Sequence, residues 1–311
     1  MKKIILITLV LVVAFSLYAN GNKDEVFGSP KNLGLNTSAR ETAPRISADG
    51  LSLYFHSDRL GGQGGKDIWV AKRRTVSDAW QQPINLGPIV NTDANESGPC
   101  LSSDGLALYF ASNRSGGYGY YDLWVATRAS VDAEWGTPTN LGNDVNGSAA
   151  ETSPCIAMDG LELYFSDHID SIPRTGGLGN ADLWVARRPN TRSAWGKPVN
   201  LGSVVNSIQV EVNPTLSADG LILFFGSARG GGQGGRDVWV TTRKAPNGEW
   251  SVPRNLGPAV NSEYSETRAC MSPDGKMLYF NSNRIGGMGG YDLWQTPILS
   301  REAFAKAYES R

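Results

Sequence analysis

Five glutamates, Glu41, Glu96, Glu151, Glu211 and Glu266, recur along the chain, each five residues after an asparagine: Asn36, Asn91, Asn146, Asn206 and Asn261. Brought together, such carboxylates could bind a cation or a sugar. They could also split a glycosidic bond, which takes a pair of them about 5–10 Å apart. A second set runs in step with the first. Arg59, Arg114, Arg174, Arg229 and Arg284 each stand eight residues before an aspartate: Asp67, Asp122, Asp182, Asp237 and Asp292. Opposite charges at fixed offsets equally suit a charge-assisted hydrogen-bond network that ties neighbouring units together. An active site needs different residues in different roles, whereas a structural part is copied wherever the structure is copied. Identity in all five copies therefore favours the network, keeps the glutamates as a candidate binding rim, and assigns no residue a catalytic role.

The departures from identity are the better guide to function. One stretch carries Tyr118 and Tyr120 beside Tyr121, rings suited to stacking on a sugar or on a partner's apolar surface. The insertion "HIDSI" (His168 to Ile172) places Asp167, His168 and Asp170 close together. Two carboxylates and an imidazole could ligate a metal, but their spacing matches no defined motif, so a solvated loop is the expectation and no metal or cofactor is assigned. His56 and His168 are the only histidines, which makes a His-rich metal site or a Ser-His-Asp triad hard to build. The glycines of "GGYGYYD" lack the third glycine and the following helix of a dinucleotide-binding loop. Lysine and arginine (29) nearly balance aspartate and glutamate (30), with no basic run after the N-terminus, so there is no electrostatic footprint for nucleic acid.

These residues sit in a repeat. Asp-Gly occurs at 49, 104, 159, 219 and 274, and the tryptophan of Asp-x-Trp at Trp69, Trp124, Trp184, Trp239 and Trp294. Each unit reads as four short strands: a Glu-led run such as "ETAPRIS", then "LSLYFHS" after the Asp-Gly turn, "DIWVAKR" after the Gly-rich loop, and "INLGPIV". Four strands per tandem unit predict an all-β, five-bladed β-propeller. The last unit stops after "YDLWQTPI", and its missing piece stands at the other end of the chain as "FGSPKNLG", Phe27 to Gly34. A ring needs this arrangement, whereas a solenoid needs caps. The N-terminal strand is thus expected to complete the last blade and remove a sheet edge. The blades fall at about 41–90, 96–145, 151–205, 211–260 and 266–298 plus 27–36, within a propeller at 20–298. A tail at 299–311 has helical character.

Residues 1–19 read as a signal peptide, with Lys2 and Lys3 before an apolar run too short to span a bilayer. The first cysteine is Cys100, so a lipid anchor is not expected, and the protein is placed in the periplasm or outside the cell with no further membrane span. Cys100, Cys155 and Cys270 each lie four residues after a repeat glutamate. A Cys100–Cys155 bridge would need Cα atoms within about 7 Å, so buried thiols are the expectation.

The units "PCLSSDGLALYFASNRSGGYGYYDLWVATR" and "ACMSPDGKMLYFNSNRIGGMGGYDLWQTPI" resemble the WD-repeat-like propeller repeat of the TolB family, over the whole chain after the N-terminal segment. That resemblance implies a binding or scaffolding module of the bacterial envelope that meets a protein or glycan over one face of the ring. With five blades and no N-terminal α/β domain, the chain departs from TolB itself, so a role in the Tol–Pal system does not carry over. Two alternatives stay open. One is a carbohydrate-active hydrolase or lyase using two of the glutamates; the other is a lectin with one sugar site per blade.

Overall fold

The computed structural model describes residues 25–309, so the expected signal peptide lies outside the described residues. The chain builds five antiparallel four-stranded sheets, one per repeat. β1 (Lys31–Asn32) comes first and waits for the last blade. Blade one is β2 (Glu41–Ile46), β3 (Ser52–Ser57), β4 (Asp67–Lys72) and β5 (Ile84–Asn85). Blade two is β6 (Glu96–Leu101), β7 (Ala107–Ser112), β8 (Asp122–Thr127) and β9 (Thr139–Asn140). Blade three is β10 (Glu151–Ile156), β11 (Glu162–Asp167), β12 (Leu183–Arg187) and β13 (Val199–Asn200). Blade four is β14 (Glu211–Leu216), β15 (Ile222–Ser227), β16 (Asp237–Thr242) and β17 (Arg254–Asn255). Blade five is β18 (Glu266–Met271), β19 (Met277–Ser282) and β20 (Asp292–Pro297), completed by β1.

Closure follows the expected register. Lys31 pairs with Gln295 and Asn32 with Trp294, while Phe27 bridges Ile298. The Asn36 side chain clamps both backbone groups of Leu293, at 2.8 and 3.0 Å. The helix Arg301–Tyr308, capped by the Ser300 hydroxyl, lays Phe304 against Phe27 and Phe224. The fourth strands are only two residues long, shorter than "INLGPIV" implies. Asn85 Oδ1 accepts from the Gly87 amide at 2.8 Å and Gly87 turns at φ +79°, which ends the pairing.

The "LYF" runs explain the core. Leu53 and Phe55, with their counterparts Leu108/Phe110, Leu163/Phe165, Leu223/Phe225 and Leu278/Phe280, are fully buried because every blade has a neighbour on both faces. Truncating one such leucine to alanine costs about 2–5 kcal/mol in a packed core. The third glycine of each loop serves the same packing. A Cβ at Gly64 would stand 2.1 Å from the Ala94 carbonyl of the next blade, and one at Gly289 would stand 1.7 Å from Ala39 across the closing interface.

The Glu-led strands lie innermost, and each is broken by a bulge two residues after its glutamate. Ladder pairing slips there in all five blades. The residue at the slip has positive φ: Ala43 (61°), Gly98 (62°), Ser153 (60°), Asn213 (61°) and Arg268 (51°). Four of the next residues are prolines, Pro44, Pro99, Pro154 and Pro214. Proline fits because this edge faces the axis and donates no ladder bond, and a bulged edge cannot template further pairing.

Candidate functional site

The five glutamates do not rim the funnel. Each is 0% exposed and ion-paired to the arginine of its own blade, at 3.0, 3.0, 2.5, 3.0 and 3.2 Å in chain order. In four blades the carboxylate also accepts from a serine on the adjacent strand: Ser57, Ser112, Ser227 or Ser282. The backbone amide and hydroxyl of the residue four positions upstream complete the shell, from Thr37, Thr92, Ser207 or Ser262, all at 2.7–3.0 Å. Each arginine lies over two aromatic rings, as Arg59 does over Phe55 at 5.0 Å and Trp69 at 5.3 Å. Within the network, arginine and aspartate have separate partners. The arginine serves the glutamate, while Asp67 accepts from the loop amides of Gln63 and Gly64 and from the Asn85 amide group. Asp122, Asp182, Asp237 and Asp292 repeat those contacts with their own loop amides.

Blade three breaks the pattern. Gly147 offers Glu151 an amide but no hydroxyl, and Asp167 stands where the other blades have serine. Burial, eased by Arg174 and worsened by Asp122 and Asp167, pushes the Glu151 carboxyl up to about 7. Burial also raises Asp167, against the pull of the Trp184 indole N–H at 2.8 Å. Asp167 is therefore enclosed rather than projecting with His168 and Asp170, because it has taken a core position of the repeat. Asp170 is exposed, and its amide donates to His168 Nδ1 at 3.2 Å. Among the described residues no cluster of three His, Cys, Asp or Glu side chains could hold a metal.

Two asymmetries that lie some 50 residues apart in sequence meet at the mouth. Tyr121 stacks on His168 with centroids 5.4 Å apart, and Tyr120 stands edge-on to both at 5.1 and 6.4 Å. Tyr118 and Tyr120 are 55% and 63% exposed, so this wall is open to a ligand. Below it lie three adjoining cavities, the first two sharing Ser153, Asn213 and Arg268 and the last two sharing Arg45. A funnel of about 140 Å³ opens to the Gly-rich loop face between Tyr121, His168, Lys66 and Arg236, with Arg268 and Ser153 at its floor. A waist of about 10 Å³ is ringed by the prolines. A far mouth of about 90 Å³ is lined by Cys100, Cys270, Met158 and Met271.

At that waist Arg45 stands at the position held by the cysteines in three other blades. All three cysteines are buried and unbridged. Cys100 and Cys155 accept from the amides of Ile156 and Leu216 on the following strands. Burial would push the Cys155 thiol up, but the Cys100 S–H and the Arg45 charge bring it down to about 6.

The funnel residues were missed in the sequence because attention went to what all units share. The signal was present in the opposite place: aligned on their glutamates, the units read Ala43, Gly98, Ser153, Asn213 and Arg268 at one position, different in every blade.

No protein-family profile matches the chain, and no curated protein sequence does either. Solved structures resemble it at the level of fold. TolB from Acinetobacter baumannii superposes with a TM-score of 0.52 at 16% identity, over 83% of this chain and 54% of its own. The chain thus spans about half the length of that TolB structure. A thermostable family-43 glycoside hydrolase superposes at 0.56 and 11% identity, over 83% and 89% of the two chains. The endo-arabinase of Bacteroides thetaiotaomicron gives 0.52 at 17% identity, over 89% and 99%. Such likeness, at under 25% identity, shows the fold alone and leaves the activity to the site itself.

Proposed function

We infer that the protein is an exported binding propeller of the bacterial envelope or extracellular space, taking a protein or glycan ligand on its Gly-rich loop face. One observation carries this reading. The five carboxylates that could do acid–base chemistry have no accessible surface and are held by arginine, while the open funnel is lined by a different residue from every blade. Groups copied five times hold the ring, and groups that differ are left to recognise something. No helix among the described residues is long and apolar enough to cross a membrane. Export rests on the N-terminal run of the sequence.

The test is binding of the purified protein to envelope glycans and proteins, comparing it with the variant carrying Tyr118→Ala and Tyr120→Ala. Retention that drops in the variant supports the reading, and no retention of either form removes it. The hydrolase reading has one observation of its own. Asp167 lies in the funnel wall beside Glu151, and both carboxyls are raised, as a general acid requires. It ranks second because Glu151 has no surface with which to touch a substrate. Turnover of any glycan by the native protein, lost in Asp167→Ser, would promote it.

A further inference from the structure

We propose that the funnel is an anion-selective sugar site that seats a uronic-acid residue, its carboxylate held by Arg268, Lys66 and Arg236; this rests on the binding reading above. All three cations line the funnel, and among the described residues no carboxylate stands within ion-pair distance (4.0 Å) of any of them. Arg268 Nη2 donates to the Ser153 hydroxyl at 2.5 Å, and the guanidinium has further N–H donors for a ligand. The one carboxylate in the same wall, Asp167, gives one oxygen to the Trp184 indole and the Asp182 amide and turns the other toward Arg174 at 3.9 Å.

Architecture does not demand this charge. At the position of Lys66 and Arg236 the other blades carry Tyr121, Ala181 and Tyr291, and at the position of Arg268 they carry Ala43, Gly98, Ser153 and Asn213. The same backbone is built with neutral residues in every other copy, so these three cations are additions to the fold. They also repel one another. Burial and the charges of Arg45 and Arg236 bring the Arg268 guanidinium down to about 9, and burial with Arg268 and Arg40 lowers the Lys66 ammonium against the pull of Asp58. Half-buried like charges that lack a carboxylate in contact are unfavourable until an anion arrives.

The remaining lining favours a sugar over an acidic peptide as the carrier of that anion. The space, about 140 Å³, is close to the roughly 150 Å³ cavity that takes a benzene ring, so it seats the carboxylate end of one sugar with the remainder at the open mouth. Ser97 and Thr152 present hydroxyls suited to a polyol, while both nitrogens of His56 are taken, by the Gly98 amide and the Thr42 hydroxyl. Tyr120, 63% exposed and edge-on to the Tyr121–His168 stack, offers an aromatic ring at the entrance.

Titration calorimetry of the full protein decides the matter, using oligosaccharides ending in glucuronate, galacturonate or mannuronate, the same sugars after carboxyl reduction, and an acidic aspartate peptide. Variants borrow the residue another blade uses at the same position: Arg268→Asn, Lys66→Tyr and Arg236→Tyr, each checked for an unchanged melting midpoint. Asn213 already occupies the strained position at φ 61°, so Arg268→Asn keeps the bulge. At least one uronate sugar should bind, and its affinity should fall with added salt. Carboxyl reduction or any one variant should weaken binding about tenfold or more, the worth of one hydrogen bond to a charged group. Equal binding of the reduced sugar, or unchanged binding by Arg268→Asn, overturns the anion site while leaving glycan binding intact. Binding of the peptide alone, or of none of these ligands, overturns the uronate assignment. Retention of envelope proteins through Tyr118 and Tyr120 would then still uphold the broader reading.

Discussion

Along β18, Glu266 and Arg268 are two residues apart, and so are their counterparts on the other four inner strands. The first position is identical in every blade, fully buried, and satisfied by its own arginine and by hydroxyl and amide donors. The second differs in every blade, sits at positive φ, and in three blades lines the funnel with a polar or charged side chain: Ser153, Asn213 and Arg268. A carboxylate buried between blades must be neutralised identically wherever the interface recurs, so the fold dictates its surroundings. A residue at the bulge faces the axis, where five strands converge on shared space, and one side chain there substitutes for another without disturbing any interface.

Four experiments sharpen or break that contrast. The largest effect belongs to Glu211→Gln, which leaves Arg229 facing a neutral amide in a dry interface; a loss of about 3 kcal/mol is expected in chemical denaturation. A loss below that of Asn213→Ser, expected at about 0.5 kcal/mol or less, would erase the distinction. Next is Gly289→Ala, whose Cβ meets the Ala39 carbonyl where the ring closes. Overpacking of this kind costs roughly 1–3 kcal/mol, and faster proteolysis near the N-terminal strand should accompany it.

Blade three should be the soft member of the ring. Its glutamate keeps a proton in the folded state up to about 7, against an ordinary 4.5 in the unfolded chain. Between those values the folded protein holds more protons than the unfolded one, so this group's contribution to stability is full at low pH and is lost as pH rises through 7. Glu151→Gln should therefore cost less than Glu211→Gln at pH 7 and should flatten that slope in pH-dependent melting. An equal cost at all five glutamates would remove blade three's special status. The smallest effect is Arg268→Asn, expected within about 0.5 kcal/mol of the native protein or slightly stabilising, since it relieves repulsion at a position where a sister blade already has Asn. A clear loss of stability there would make the funnel cation structural.

Much of the ring was legible before any coordinates. The spacing of Asp-Gly and Asp-x-Trp, and the displaced "FGSPKNLG", were enough for five blades and their closure, because a repeated interface must be written into each copy. The glutamate–arginine network was legible as a kind of interaction, yet its partners were not. Arg59 stands eight residues before Asp67 and eighteen after Glu41, and it is Glu41 that it pairs with. Sequence distance carries no information on which edge of a twisted sheet a long side chain crosses.

Asp167 makes the same point from the other direction. With His168 and Asp170 it reads as part of a solvated, projecting loop, but strand register places it opposite Glu151 and buries it. Likewise Tyr120 and His168 belong to different blades and meet only because adjacent Gly-rich loops lean together at the mouth.

Composition and periodicity thus determined the architecture, the closing strand and the identity of the invariant parts, since these follow from local strand patterning and from what five equal interfaces require. Which residues face the axis was decided by tertiary structure alone. A one-residue bulge in each inner strand resets which side chains point inward, and only ring closure brings Lys66, Arg236 and Arg268, drawn from three separate blades, around one small space.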